Sequence, residues 1–182
     1  DTPVLFIACR LSAEKGLSEL PEILARARAS LPDLKLVIAG SGPDEEALRK
    51  MLPDSKFMGW VDKPTLASLY AGLDLFVFPS RFDTFGNVLL EAFAHGMPAI
   101  AYDCKGPRDI IEHEQSGYLA ADSAEMAGKI VGHFSWPNKR AAMRTAALER
   151  ARLYSPERIM TEYVQNLGLP APACVLDHRS VA

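Results

Sequence analysis

LDLFVFPSRFDTFGNVLLEAFAHGMPAIAY, residues 73–102, decides the fold. The stretch opens with an apolar run at 73–78 and turns through Pro79 and Ser80. A helical pattern follows over 86–95, then a second apolar run at 99–102. Continuous apolar runs joined through a helix mark parallel strands buried on both faces, because a strand covered on one face alternates instead. The loop and helix start carry the chemistry. Asp83 is followed by Thr84, Phe85, Gly86 and Asn87, and Glu91 sits inside the helix. A helix amino end offers unpaired N–H groups and partial positive charge, which is what a phosphate needs. Hydroxyl-rich ligands need carboxylates as acceptors. With a start at Gly86, Glu91 lies roughly 7 Å along the axis. Phosphate between two carboxylates, each placed beside a hydroxylated ring, describes a sugar nucleotide. A hydrolase pair, about 5 to 10 Å apart across one bond, fits less well with an anion-binding helix start between the two acids.

The same alternation fills the rest of the chain. Strands are expected at 4–8, 34–39, 56–59 and 118–120, and helices at 17–30, 44–52, 62–70, 108–112, 122–134, 137–153 and 156–167. Asp62 and Ser155 are the expected caps of their helices, and Pro64 is tolerated in a first turn. Strands separated by crossover helices give an α/β, doubly wound parallel sheet, Rossmann-like, of about six strands. Ligands in such sheets bind beyond the strands' carboxyl ends. Arg10, Gly40, Gly59, Ser80 and Asp103 fall at or just past those ends. Residues 1–168 are expected to form this domain and 169–182 an irregular tail.

At 182 residues the chain can bury one substantial core, and 48% hydrophobic with 24% charged residues is ordinary for a soluble globular protein. A net charge of -3 gives no bulk attraction to nucleic acid or an anionic membrane, so any anion site is local. No apolar stretch reaches the ~20 residues needed to cross a bilayer. Cys9, Cys104 and Cys174 lack metal or redox spacing and read as free thiols of a reducing, cytoplasmic compartment. The histidines, His95, His113, His133 and His178, have no metal spacing, and His95 complements a helix carboxyl end. The opening at Asp1, with a strand by Val4, reads as a piece of something longer.

Residues 79–98, together with RLSAEKG at 10–16 and AGSGP at 39–43, resemble the retaining glycosyltransferases of the GT-B fold, group 1, family 4 type. The resemblance is to their C-terminal, donor-binding domain and spans roughly residues 3–168. Where the family usually has Glu, this chain has Asp83, one methylene shorter. The resemblance implies that Arg10 and Lys15 neutralise the donor's diphosphate as the sugar–oxygen bond breaks. It implies that Asp83 faces the donor sugar with a catalytic role, and that Thr84, Phe85, Gly86 and Asn87 supply backbone N–H groups. Ser80 and Val88 join the donor site, and Glu91 takes the ribose hydroxyls. Gly59–Trp60–Val61 resembles the segment whose backbone meets the base. Gly40 and Gly42 would let the ligand approach closely, and Arg108 would touch acceptor or phosphate. Trp60 is otherwise a packing residue, Gly40 and Gly42 otherwise turn glycines, Asp83 otherwise a loop or cap residue, and Arg108 otherwise half of a surface ion pair. The case for Glu91 also rests on its setting, a carboxylate in an apolar helix that must be paired or face a polar cavity.

The expected activity is transfer of a hexose from a UDP- or GDP-linked donor to an acceptor hydroxyl, in bacterial cell-surface polysaccharide synthesis. No cofactor or metal is implied. A missing N-terminal GT-B domain would carry the acceptor site and decide any peripheral membrane contact, leaving this fragment inactive alone. The alternatives are a sugar-nucleotide epimerase or phosphorylase on the same fold, or a non-catalytic subunit binding nucleotide sugar beside a separate acceptor domain.

Overall fold

The computed structural model describes residues 2–82 and 85–167. Asp83, Thr84 and the expected tail at 169–182 lie outside the described residues. Six parallel strands, β1 (Val4–Ala8), β2 (Lys35–Ala39), β3 (Lys56–Gly59), β4 (Leu75–Phe78), β5 (Ala99–Tyr102) and β6 (Gly117–Ala120), form one sheet in the order β3-β2-β1-β4-β5-β6. The helices are α1 (Leu20–Arg28), α2 (Glu45–Met51), α3 (Lys63–Gly72), α4 (Asn87–Ala94), α5 (Pro107–Ile110), α6 (Ser123–Ser135), α7 (Pro137–Arg152) and α8 (Pro156–Asn166). Strand order reverses between β1 and β4, so the chain winds outward in both directions from one seam, the doubly wound Rossmann-like arrangement.

Burial explains why the central strands do not alternate between apolar and polar. Along β1, Leu5 and Ile7 join one core cluster while Phe6 and Ala8 join the other; Leu75 and Val77 against Phe76 and Phe78 repeat this on β4. Successive side chains point to opposite faces, and here both faces are covered. The first core holds Leu20, Ile23 and Leu24 of α1 with Met126 and Ile130 of α6. The second holds Tyr70 of α3 with Leu89 and Phe93 of α4.

Element ends differ from expectation for local reasons. The helix expected over 17–30 starts as a short 3-10 turn at Leu17–Glu19, and α1 proper begins with Pro21 in its first turn. The strand expected from residue 73 begins at Leu75, because α3 runs on to Gly72 and the Leu73 amide still donates to the Leu69 carbonyl as the helix cap. Asp62 and Ser155 cap α3 and α8, accepting from the amides of Thr65 and Arg158. Among the described residues no helix is long and apolar enough to cross a membrane.

His133 on α6 is buried at 2% exposure, its ring edge-on to Tyr118 at 5.7 Å. Burial, aided by the Arg140 charge and opposed by a backbone hydrogen bond at Asp74, pushes its imidazole down to about 4. Unfolded, the ring titrates near ~6.5. Between those values the unfolded chain binds the proton and the folded chain does not, so stability falls as pH drops through that window. Urea unfolding of the wild type at pH 7 and pH 5 should therefore show a loss of about 2 kcal/mol from this ring. His133→Leu should remove that component, and an unchanged pH slope would contradict the assignment.

Candidate functional site

The ends of β1 and β2 are knitted together by backbone. Cys9 N–H donates to the Ala39 carbonyl at 3.2 Å and Leu11 N–H to the Ser41 carbonyl at 3.0 Å. Gly40 has φ +121°, and a Cβ on it would sit 1.9 Å from the Cys9 carbonyl oxygen. At Gly42 the obstacle is the Leu11 carbonyl at 2.2 Å. The glycines are thus required by chain crossing. Gly40 also lines a cleft, whereas Gly42 stands outside its lining.

That cleft, of about 350 Å³, lies beyond the carboxyl ends of β1, β2 and β3. Its floor is Ala8, Cys9, Ala39 and Gly40, and Arg10 and Ser41 stand on its rim. Trp60 and Val61 follow β3 on one side, and Leu66, Tyr70, Val88 and Glu91 come from α3 and α4 on the other. Trp60 is 78% exposed and so is not packed into the core of this domain. Glu91 is exposed to the cleft and accepts a 3.3 Å bond at Oε2 from the Tyr70 hydroxyl. Tyr70 itself is buried, edge-on to Phe6 at 5.3 Å and stacked on His95 at 5.5 Å. Burial first, then the Glu91 charge, pushes the phenol far above its ordinary range, so it stays a donor. His95 Nδ1 lies 2.8 Å from the Glu91 carbonyl; a carbonyl only accepts, so Nδ1 carries the proton.

The cationic side is built by the segment after β1. Arg10 reaches the cleft, while Lys15 lines a narrow crevice between the ends of β1 and β4, at the seam where strand order reverses. Glu14, between them in sequence, is exposed. A 2.6 Å bond from the Ser12 hydroxyl, then its own backbone and the charges of Arg10 and Lys15, holds its carboxyl below the usual range. Ser80 is buried, and its hydroxyl donates to the Glu14 carbonyl at 3.0 Å while receiving the Phe82 amide at 3.4 Å. Its side chain therefore holds loops together at the edge of the same crevice.

The amino end of α4 has Gly86 as its cap at φ +90°, with no side-chain cap bond. Phe85 sets the approach by resting edge-on against Tyr154 at 6.2 Å, and Asn87 is exposed. Arg108 is committed to Asp103, with Nε to Oδ1 at 2.7 Å, the surface ion pair anticipated as its alternative. The structure thus brings Arg10, Gly40, Trp60, Val61, Val88 and Glu91 into one cleft. Lys15 and Ser80 sit in the adjoining crevice, and Gly42, Phe85, Gly86 and Asn87 lie outside the cleft lining. Tyr70 was missed by sequence reasoning. Its signal was a hydroxyl on the apolar stripe of α3, which on burial needs a partner. Cys9, Ser41 and Leu66 were also missed.

The family model for glycosyl transferases group 1 matches residues 2–135. The chain belongs to that family. Its fold is that of a GT-B glycosyltransferase domain. The group 1 domain is 34% identical over 160 residues to a GDP-mannose-dependent alpha-mannosyltransferase of Corynebacterium glutamicum, spanning 86% of this chain and 37% of that relative. The pneumococcal O-GlcNAc transferase GtfA, solved in complex with UDP and GlcNAc, superposes with a TM-score of 0.79 at 25% identity. The match covers 91% of this chain and 35% of that one. The C-terminal domain of a group 1 family protein from Francisella tularensis shares the fold, with a TM-score of 0.73 at 23% identity over 84% of this chain and 85% of that one. This group 1 domain therefore spans little more than a third of the first two proteins it matches.

The backbone crossing at Gly40 makes a stability test. Gly59 also has positive φ, at +66°, but nothing lies within 4 Å of its would-be Cβ. Gly59→Ala should cost the left-handed strain alone, about 1 kcal/mol. Gly40→Ala should cost at least ~2 kcal/mol more, because a main-chain carbonyl must move. Thermal melting of the two variants checks the order; equal losses would show that the Cys9 crossing is soft.

Proposed function

We propose that this chain is the donor-binding part of a retaining glycosyltransferase that moves a hexose from a nucleoside diphosphate sugar to an acceptor hydroxyl. The observation that carries the reading is Glu91, a carboxylate exposed to a cleft at the strands' carboxyl ends and bonded by the Tyr70 phenol. A charged acceptor so placed is fitted to a vicinal diol such as a ribose. Trp60 and Val61 supply an aromatic and an aliphatic surface for the base. Arg10 and Lys15, with the amino end of α4, supply positive charge for the diphosphate.

When the bond from the anomeric carbon to the diphosphate breaks, its electron pair stays on the leaving oxygen. Preorganised cations lower the energy of that developing charge. In this reading they do so without a metal. Both donor classes are represented among the relatives, one named for GDP-mannose and one solved with UDP. Asp83 keeps the sugar-facing role that the resemblance implies. The acceptor site belongs to the rest of the enzyme, in keeping with a chain that spans 37% of its mannosyltransferase relative.

Calorimetric titration with UDP, GDP and ADP tests the reading, and binding in the micromolar to millimolar range is expected for at least one. Glu91→Gln should weaken it about 10-fold or more, as loss of a charge-assisted hydrogen bond does. Tyr70→Phe should weaken it less, because the carboxylate remains. No binding of any of the three at millimolar concentration would end the proposal.

A further inference from the structure

The residue after Ser80 enters a network that the cleft does not use. Arg81 lies over the Tyr102 ring, its guanidinium carbon 3.5 Å from the centroid, and its Nε is 3.6 Å from Glu19 Oε1. The same guanidinium reaches the Ala121 carbonyl at 3.4 Å. Glu19 Oε2 accepts from the Tyr102 hydroxyl and, at 2.8 Å, from the Ser123 hydroxyl. One half-buried carboxylate therefore joins the 3-10 turn before α1, the end of β5, the start of α6 and the segment after β4.

An ion pair with side chains 41% and 33% exposed adds little to global stability. The Glu19 carboxylate at its centre is bonded by the Tyr102 and Ser123 hydroxyls, and a satisfied polar network specifies one geometry. Consecutive residues make two pins to the same partner stretch: Ser80 to the Glu14 carbonyl and Arg81 to Glu19. That stretch carries Lys15, and the pinned segment leads into α4.

We propose that Arg81, clamped on Tyr102 and Glu19, is a positioning residue that holds the segment after β4 against the segment after β1 and so sets the seat for a donor's diphosphate. The inference rests on the donor-binding reading above. It assigns the clamp to the phosphates and leaves the base subsite at Trp60 and Val61 independent of it.

The test compares nucleoside with nucleoside diphosphate, uridine with UDP and guanosine with GDP, by calorimetry or competition. The ratio of their affinities isolates the diphosphate. Arg81→Ala and Glu19→Gln should each lower that ratio about five- to tenfold while leaving nucleoside affinity within twofold, and the double variant should be no worse than the weaker single. Tyr102→Phe keeps the ring beneath Arg81 and loses one bond to Glu19, so it should lower the ratio by a smaller factor. It carries the test with Glu19→Gln if Arg81→Ala does not fold. The sign for Glu19→Gln is decisive: a direct phosphate contact by Arg81 would be strengthened by removing the neighbouring negative charge, whereas a clamp is weakened. A raised or unchanged ratio, or a parallel fall in nucleoside and diphosphate affinity, overturns the positioning role alone. A wild type that binds no nucleoside diphosphate overturns the donor reading and this inference together.

Discussion

The cleft depends on how closely main chain packs on main chain at the end of β1. At Gly16 and Gly40 a side chain is excluded because the Pro79 and Cys9 carbonyls lie 2.2 and 1.9 Å from where the Cβ would be. Those crossings bring the segments after β1, β2 and β4 to one place, and the charged groups described in the candidate site hang from the segment after β1 and from α4. Parallel topology makes this possible, since all six strands run the same way and deliver their loops to one edge.

Electrostatics follows from the same convergence. A chain of net charge -3 has no general affinity for anions. Positive charge is placed locally instead, with Arg10 lining the cleft and Lys15 the crevice at the seam, while nearby acids are engaged elsewhere: Glu14 by Ser12, Asp103 by Arg108 and Glu19 by Tyr102, Ser123 and Arg81. Among the described residues Glu91 is the acid that lines the cleft, and the bond from Tyr70 orients it. Burial would raise the Glu19 carboxyl, but the bonds from Tyr102 and Ser123 and the Arg81 charge hold it below the usual range, so the network stays ionised at neutral pH.

Much of this was legible in the chain. Strands β1, β3 and β5 fall at their expected residues, because short apolar runs between turn signals admit few other boundaries. The caps Asp62 and Ser155 were readable for the same local reason, a short polar side chain before an amphipathic run. Glu91 stood out as a charge among apolar neighbours. The reason for Gly40 did not, because a glycine looks alike whether a ligand or a carbonyl needs the space.

What pattern and period settle is the order of elements, the parallel sheet buried on both faces, and the set of residues delivered to its carboxyl edge. These follow from local propensity and from burial, which act over a few residues at a time. Which side chains meet was decided only by the packed molecule. Tyr70 and Glu91 stand 21 positions apart, Ser80 and Glu14 66, and Tyr102 and Glu19 83. Contacts over such separations depend on how the crossover helices and strand-end loops settle against one another, and no local sequence signal encodes that.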